Sequence, residues 1–314
     1  MSARLRPRPG KPGGHSIYRE GVDITRCVTD ADYEQWRQVR IAVVPFERTQ
    51  SLAELRAGDS PDRLLLLARE GGTVLGHGLA QRAESANSGG VIPRVLPEHR
   101  RRGVGTALLR QLADHVASLG LPLLRASVDD EPSELFARRF GFAEVNREIE
   151  QTYTISTTPD VIPPPPGIEV VAAHERPGLW EASYERFGRE ALTGFAVDTP
   201  LDVSLERWTR DWLGDPMFLA LHDGEVAGCA GLGLDTDEPT RAENSLTAVR
   251  GDWRGRGLAI HLKQRTLAWA AEHGITEVYT WTQDGNAAMR TLNTRLGYAT
   301  TRTGIQLSRE LPLD

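Results

Sequence analysis

A chain of 314 residues, 39% hydrophobic and 25% charged, has globular usage and room for about two domains of ordinary size. Its 37 basic and 43 acidic residues leave a formal charge of −6, the wrong sign for a protein that lives on phosphodiester backbones, so nucleic acid is not an expected partner. Apolar runs such as Leu64 to Ala68 cover five residues, far short of the roughly 20 a membrane helix needs, and no membrane association is expected.

In chain order, residues 1–20 open with a stretch rich in Arg, Pro and Gly that has no apolar core. It reads as a disordered tail rather than a secretory signal, which points to the cytoplasm. Leu64 to Arg69, then Gly71-Gly72, then Val74 to Gly78 read as a β-hairpin. A further apolar stretch closes at Val95. Next, Arg100-Arg101-Arg102-Gly103-Val104-Gly105 opens a helix whose Val104, Ala107, Leu108 and Leu112 share one face. A short strand, Leu123 to Val128, precedes a short helix that ends at Phe140-Gly141-Phe142, where the glycine is a C-cap signal. Thr157 to Gly167, with Pro163 to Pro166 at its heart, can join neither a helix nor a sheet interior, and is expected to be an extended, semi-rigid linker.

The second half repeats the first about 154 residues later. Met217 to Leu221, Asp223-Gly224 and Val226 to Ala230 form the hairpin, and a strand over Ala242 to Val249 follows. Arg254-Gly255-Arg256-Gly257-Leu258-Ala259 opens the helix, Glu277 to Trp281 is the short strand, and Leu296-Gly297-Tyr298 closes the last helix. The fold class is therefore α/β (α+β), with two copies of one domain at 21–156 and 168–314 joined by the linker 157–167. Cys27 and Cys229 lie in strand-like runs and are expected as buried free thiols. The histidines show no metal-ligand spacing, so no metal is expected.

The strongest chemical signal is Arg-x-x-Gly-x-(Gly/Ala) between a strand and a helix. Gly103 and Gly257 let a ligand approach the main chain. The unpaired N–H groups of the next helical turn form an anion site, and flanking guanidiniums can add charge-assisted bonds. A basic loop that merely turns tightly is the bland alternative, and its double occurrence at the same place argues for a pyrophosphate cradle. Trp208 and Trp212, four apart, fall on one helical face; core packing is preferred there over an aromatic wall for an acceptor.

These stretches, Val95 to Gly105 and Val249 to Ala259 with the Gly-aromatic ending of each half, resemble the GNAT acyltransferases (Gcn5-related N-acetyltransferases) over most of both halves. The resemblance implies two domains, each a mixed, mostly antiparallel sheet with a splayed parallel strand pair flanked by helices. It further implies acetyl-CoA as cosubstrate. Its pyrophosphate would be held at Arg100, Arg101, Arg102, Gly103, Val104 and Gly105, and at Arg254, Gly255, Arg256, Gly257, Leu258 and Ala259. The backbone N–H of Val249, and of Val95 in the first half, would polarise the thioester carbonyl.

By position in the family pattern Glu243 becomes the general base, on a face it would share with Ser245, Thr247 and Val249. Gly89 stands at that place in the first half. The tyrosine that family members use as acid is replaced by Ala137 and Asn293; Asn293 could still bond near the sulfur. Asn286 would touch the pantetheine or phosphate arm, or simply cap its helix. On this asymmetry the C-terminal half is expected to catalyse and the N-terminal half to bind acetyl-CoA or serve as scaffold. No Gly-x-Ser-x-Gly elbow or Cys–His pairing supports an acyl-enzyme, so direct transfer to the amine of a small molecule, in a setting such as secondary metabolism, is expected. The alternatives are a non-catalytic acyl-CoA sensor, a mycothiol synthase-like enzyme and a protein acetyltransferase. A monomer and a homodimer fit equally well.

Overall fold

The computed structural model describes residues 21–83, 87–195, 203–235 and 237–313. The expected tail at 1–20 lies outside them. The first half runs β1 (Val22–Arg26), α1 (Asp30–Val43), α2 (Leu52–Ala57), β2 (Leu64–Glu70), β3 (Thr73–Arg82), β4 (Ser88–Val95), α3 (Val104–Ser118), β5 (Leu123–Val128), α4 (Glu131–Arg139) and β6 (Ala143–Thr154). The second runs β7 (Glu169–Ala172), α5 (Leu179–Ala182), α6 (Arg189–Phe195), α7 (Leu205–Asp211), β8 (Met217–His222), β9 (Glu225–Leu234), β10 (Arg241–Val249), α8 (Leu258–Glu272), β11 (Glu277–Gln283), α9 (Ala287–Leu296) and β12 (Ala299–Glu310). Both hairpins, both long helices and both Gly-aromatic endings stand where the sequence puts them.

All twelve strands join one sheet in the order β1-β2-β3-β4-β5-β12-β6-β11-β10-β9-β8-β7. Neighbours are antiparallel except β4–β5 and β10–β11, whose parallel ladders hold for three residue pairs each. Beyond those pairs the strands part. The halves do not close separately, because their last strands are exchanged. β12 lies along β5, from Ile305 opposite Val128 to Glu310 opposite Leu123. β6 lies along β11, from Glu277 opposite Thr154 to Gln283 opposite Glu148.

The cores follow the exchange. Leu307 of β12 is fully buried beside Leu108, Leu112 and Leu124 of the first half. Tyr153 of β6, and Ile155 just after it, pack with Leu267, Val278 and Tyr298 of the second.

In the first half α3 and α1 cover opposite faces of the sheet. Leu66, Ala68 and Ala80 pack under α3, whereas Leu65, Leu67 and Leu79 meet Tyr33 and Trp36 of α1, as alternation along β2 and β3 requires. The segment between α1 and α2 reaches into the second half. The Arg48 amide donates to Tyr279 Oη at 2.7 Å and its Nε donates to the Leu234 carbonyl at 2.6 Å; from α1 itself, Arg37 pairs with Asp237 at 2.5 Å.

Cys27 and Cys229 are buried free thiols. Trp208 has no exposed surface; it stacks on Trp180 at 4.2 Å, and each indole N–H donates to the other's main-chain carbonyl. Core packing is the role of this pair. The proline-rich linker lies against α8, where the Ile162 amide donates to Gln264 Oε1 at 3.0 Å and His261 Nδ1 sits 2.5 Å from the Ile162 carbonyl oxygen.

Candidate active site

The two glycine-bearing junctions adopt one backbone. Gly103 and Gly257 are the N-caps of α3 and α8, each with φ of +85°. Two residues earlier Arg101 and Gly255 also take left-handed values, +63° and +72°. Such alternation turns successive N–H groups to one side, a nest for an anion, at a helix N-terminus that favours negative charge. A Cβ on Gly103 or Gly257 would meet nothing within 4 Å; the glycines serve the backbone angle, and the space above the loop is open. Arg100 Nε donates to the Val95 carbonyl at 3.2 Å, and Arg254 Nε to that of Val249 at 3.0 Å. The first arginine of each motif thus ties the loop to the end of the strand before it. Both junctions fit a diphosphate group. Val104 and Leu258 are 2% and 1% exposed, so their side chains anchor the helices and only their main chain faces a ligand.

A cavity of about 1630 Å³ opens on the first junction at His99, Arg100, Arg101, Gly103 and Gly105. It runs through the gap between β4 and β5, past Val95 and Ala126 to Asp130, with Phe136 and Ala137 of α4 alongside. Beyond the gap its roof is the α1–α2 segment from Val43 to Arg48. Its walls are Glu148 of β6, Glu243 of β10, Tyr279 and Trp281 of β11, and Arg302 and Gln306 of β12. The strand exchange therefore supplies much of the chamber from elements remote in sequence.

Of the residues expected at the site, this cavity gathers Val95, Arg100, Arg101, Gly103, Gly105 and Glu243. Arg102 does not border it, nor do Val249, Arg254 to Ala259, Asn286 or Asn293. Asn286 caps α9, accepting from the Met289 amide at 3.2 Å. Asn293 has no exposed surface, and its Nδ2 donates to Gln151 Oε1 at 3.0 Å.

The shared face expected of Glu243, Ser245, Thr247 and Val249 does not form. The β9–β10 register shifts between Asn244 and Leu246, and such a bulge reverses the alternation of side chains. Asn244 and Val249 point to α8: Asn244 Oδ1 accepts from Lys263 Nζ, and Val249 packs with Leu258 and Leu262. Thr247 Oγ1, 3.4 Å from Asn244 Oδ1, lies on that side too. Leu246 joins Trp208 on the opposite face, and Glu243 faces Arg48 and the chamber rather than the groove beside Val249.

The chamber's charges are unevenly paired. Glu47 accepts from Arg40 at 2.9 Å and from Arg94 at 3.3 Å. Arg48 pairs with Glu54. Arg302 lies 3.5 Å from the buried Glu150 and stacks over Phe46 at 3.8 Å. Among the described residues Glu148 has only a neutral partner, Gln306 Nε2 at 2.5 Å, which also donates to Ser127 Oγ of β5 at 3.3 Å. Glu243 makes no hydrogen bond or ion pair among the described residues. Burial raises the pKa of Glu148 against the pull of the Gln306 bond. Burial raises that of Glu243 too, opposed by Arg48 and reinforced by Glu47. Asp129, at the end of β5, is raised by burial and by Asp130 beside it. A strand carrying Glu148 and Glu150 on one face was the available sequence signal for this wall; Glu47, Arg94 and Asp129 carried none.

The second half has a different interior at the matching place. Leu109 borders the cavity of the first half; its counterpart Lys263 is 1% exposed, bonded to Asn244 and set over the Tyr298 ring at 4.8 Å. Burial lowers its pKa to about 7. Among the described residues no group of three or more His, Cys, Asp or Glu could hold a metal ion, and no helix is long and apolar enough to cross a membrane.

The Acetyltransferase (GNAT) family pattern matches residues 28–142 and again 180–298; β6 and β12, the exchanged strands, lie outside both matches. A mycothiol acetyltransferase of Nocardiopsis dassonvillei is 28% identical over 297 residues, covering 82% of this chain and 85% of its own length. One from Saccharomonospora viridis is 25% identical over 236 residues, covering 68% and 72%. In fold, a tandem GNAT protein from the clavulanic acid biosynthesis pathway superposes with a TM-score of 0.74 at 20% identity, over 93% of this chain and all of that one. With the diphosphate-fitting junction present twice and the family pattern over most of both halves, this chain belongs to the GNAT acetyltransferase family and carries its domain in tandem.

Proposed function

We propose that the protein is an acetyl-CoA-dependent N-acetyltransferase acting directly on the amine of a small molecule. The observation that carries this reading is the cavity that begins at a diphosphate-fitting nest, passes between two parting parallel strands and ends in a chamber lined by half-buried carboxylates. The amides following Gly103 would hold the diphosphate, and the Val95 N–H would face the thioester carbonyl, which supplies the activated acetyl group when bound. A carboxylate of raised pKa in the chamber takes the ammonium proton near neutral pH, where an ordinary carboxylate is too weak a base. The chamber is roofed by the α1–α2 segment, which suits a small acceptor better than a protein tail.

The test is direct. Calorimetry with acetyl-CoA should show uptake, and acetyl-CoA with an amine library should release free thiol. Uptake without thiol release from any amine would favour a sensor. The mycothiol acetyltransferase relatives favour a second reading, in which the acceptor is the one those enzymes acetylate.

A further inference from the structure

Resting on that reading, we propose that the acceptor is a small molecule carrying two ammonium groups, acetylated from the N-terminal cleft in a chamber whose walls come from both halves, with Glu148 receiving the proton of the reacting amine and Glu243 holding the second ammonium.

Four observations carry this. The cavity is continuous from the Gly103 junction to Glu148 and Glu243. The chamber's arginines have carboxylate partners: Arg40 and Arg94 share Glu47, Arg48 has Glu54, and Arg302 has Glu150. Glu148 and Glu243 have no cation within ion-pair distance among the described residues, so a ligand with two positive centres would supply the partners that the fold withholds. Half-buried carboxylates left without a cation cost stability, and a cationic ligand recovers that cost on binding. Finally, the chain Glu148–Gln306–Ser127 crosses from β6 through β12 to β5, bringing the Glu148 carboxylate to the strand that borders the gap. Glu243 stands farther along the sheet, on β10, where Tyr279 and Trp281 of β11 give the body of the acceptor an aromatic wall.

The ammonium nitrogen gives one proton to the Glu148 carboxylate, and its freed lone pair forms the C–N bond at the thioester carbonyl. The C–S bond breaks with its electron pair going to sulfur. The nitrogen's next proton ends on that thiolate, and Glu148 returns its own proton to solvent. An ammonium and a thioester become an amide, a thiol and a released proton.

Steady-state rates with α,ω-diaminoalkanes and the matching 1-aminoalkanes test the proposal. The best diamine should exceed its monoamine partner at least tenfold in kcat/KM. Glu243→Gln should bring that ratio to within about twofold, mainly through KM for the diamine. Glu148→Gln should lower kcat about 100-fold or more for every amine and remove the acid limb of the pH profile, with Glu148→Asp restoring part of both. Glu47 acts on Glu148 directly, and Arg40, Arg48, Arg94, Asp129, Asp130, Glu131, Glu243 and Arg302 line the same cavity, so Asp129→Asn is run beside it; an acid limb lost there and kept in Glu148→Gln overturns the assignment of the base. Monoamines used as well as diamines by the wild type, or a ratio untouched by Glu243→Gln, overturn the acceptor class while leaving acetyl transfer standing. Thiol release from no amine at all overturns both this inference and the reading it rests on.

Discussion

Exchange of β6 and β12 makes the two halves one folding unit, and Leu112→Ala is a sharp probe of that. Leu112 lies in α3, fully buried in the first half's core with Leu108, Leu124 and the exchanged Leu307. Truncating such a leucine costs about 2–5 kcal/mol in transfer energy and residual cavity. Unfolding entropy of about 2.1 cal/mol/K per residue gives roughly 0.66 kcal/mol/K for 314 residues, so the midpoint should fall by about 3–8 °C. Six of the seven tryptophans, Trp180, Trp208, Trp212, Trp253, Trp269 and Trp281, belong to the second half, so indole emission reports chiefly on the half that was not touched. Far-ultraviolet ellipticity and tryptophan emission should move together by that amount in one transition. If emission keeps its wild-type midpoint while ellipticity breaks into two steps, the halves melt separately and the reasoning is wrong.

Two further outcomes follow from single side chains. Lys263 titrates near 7 when folded against 10.5 when free, so between those values the unfolded chain holds a proton the folded chain lacks, and stability should rise with pH by up to about 1.4 kcal/mol per unit. In Lys263→Met, urea midpoints at pH 7.5 and 9.5 should lose most of that rise; an unchanged slope would show the ammonium to be solvated. Arg101→Gly should stabilise the protein by about 0.5–1 kcal/mol in urea titration, because a side chain at positive φ costs about 1–2 kcal/mol and glycine returns part of that as backbone entropy. A loss of stability there would mean that the Arg101 side chain contributes more than its backbone costs.

Local signals in the sequence carried far. Hairpins, the Gly103 and Gly257 junctions and the Gly141 and Gly297 endings are set by nearest neighbours, and each stands at the expected residues. What escaped is what depends on partners distant in the chain. Two like repeats present the same strand pattern whether β6 returns to its own half or crosses to the other, so only packing chooses, and the choice turns Glu148 into a wall of the first half's cavity. The bulge after Asn244 is one residue in a strand of otherwise ordinary alternation. It separates Glu243 from Val249, two residues that counting along the strand had put on one face. The family pattern located Glu243, but it could not say which cleft the carboxylate would serve.

The interlacing also sets a schedule for synthesis. When Val128 has left the ribosome, the neighbour it needs, Ile305, is still some 180 residues away in the message, about 10–35 s at ordinary elongation rates. For that interval β5 presents a bare hydrogen-bonding edge and β6 has no strand to lie against, the condition under which nascent chains pair with the wrong partner. A tandem protein built this way gains a shared chamber and, with it, a period of dependence on whatever shields unfinished sheets in the cell.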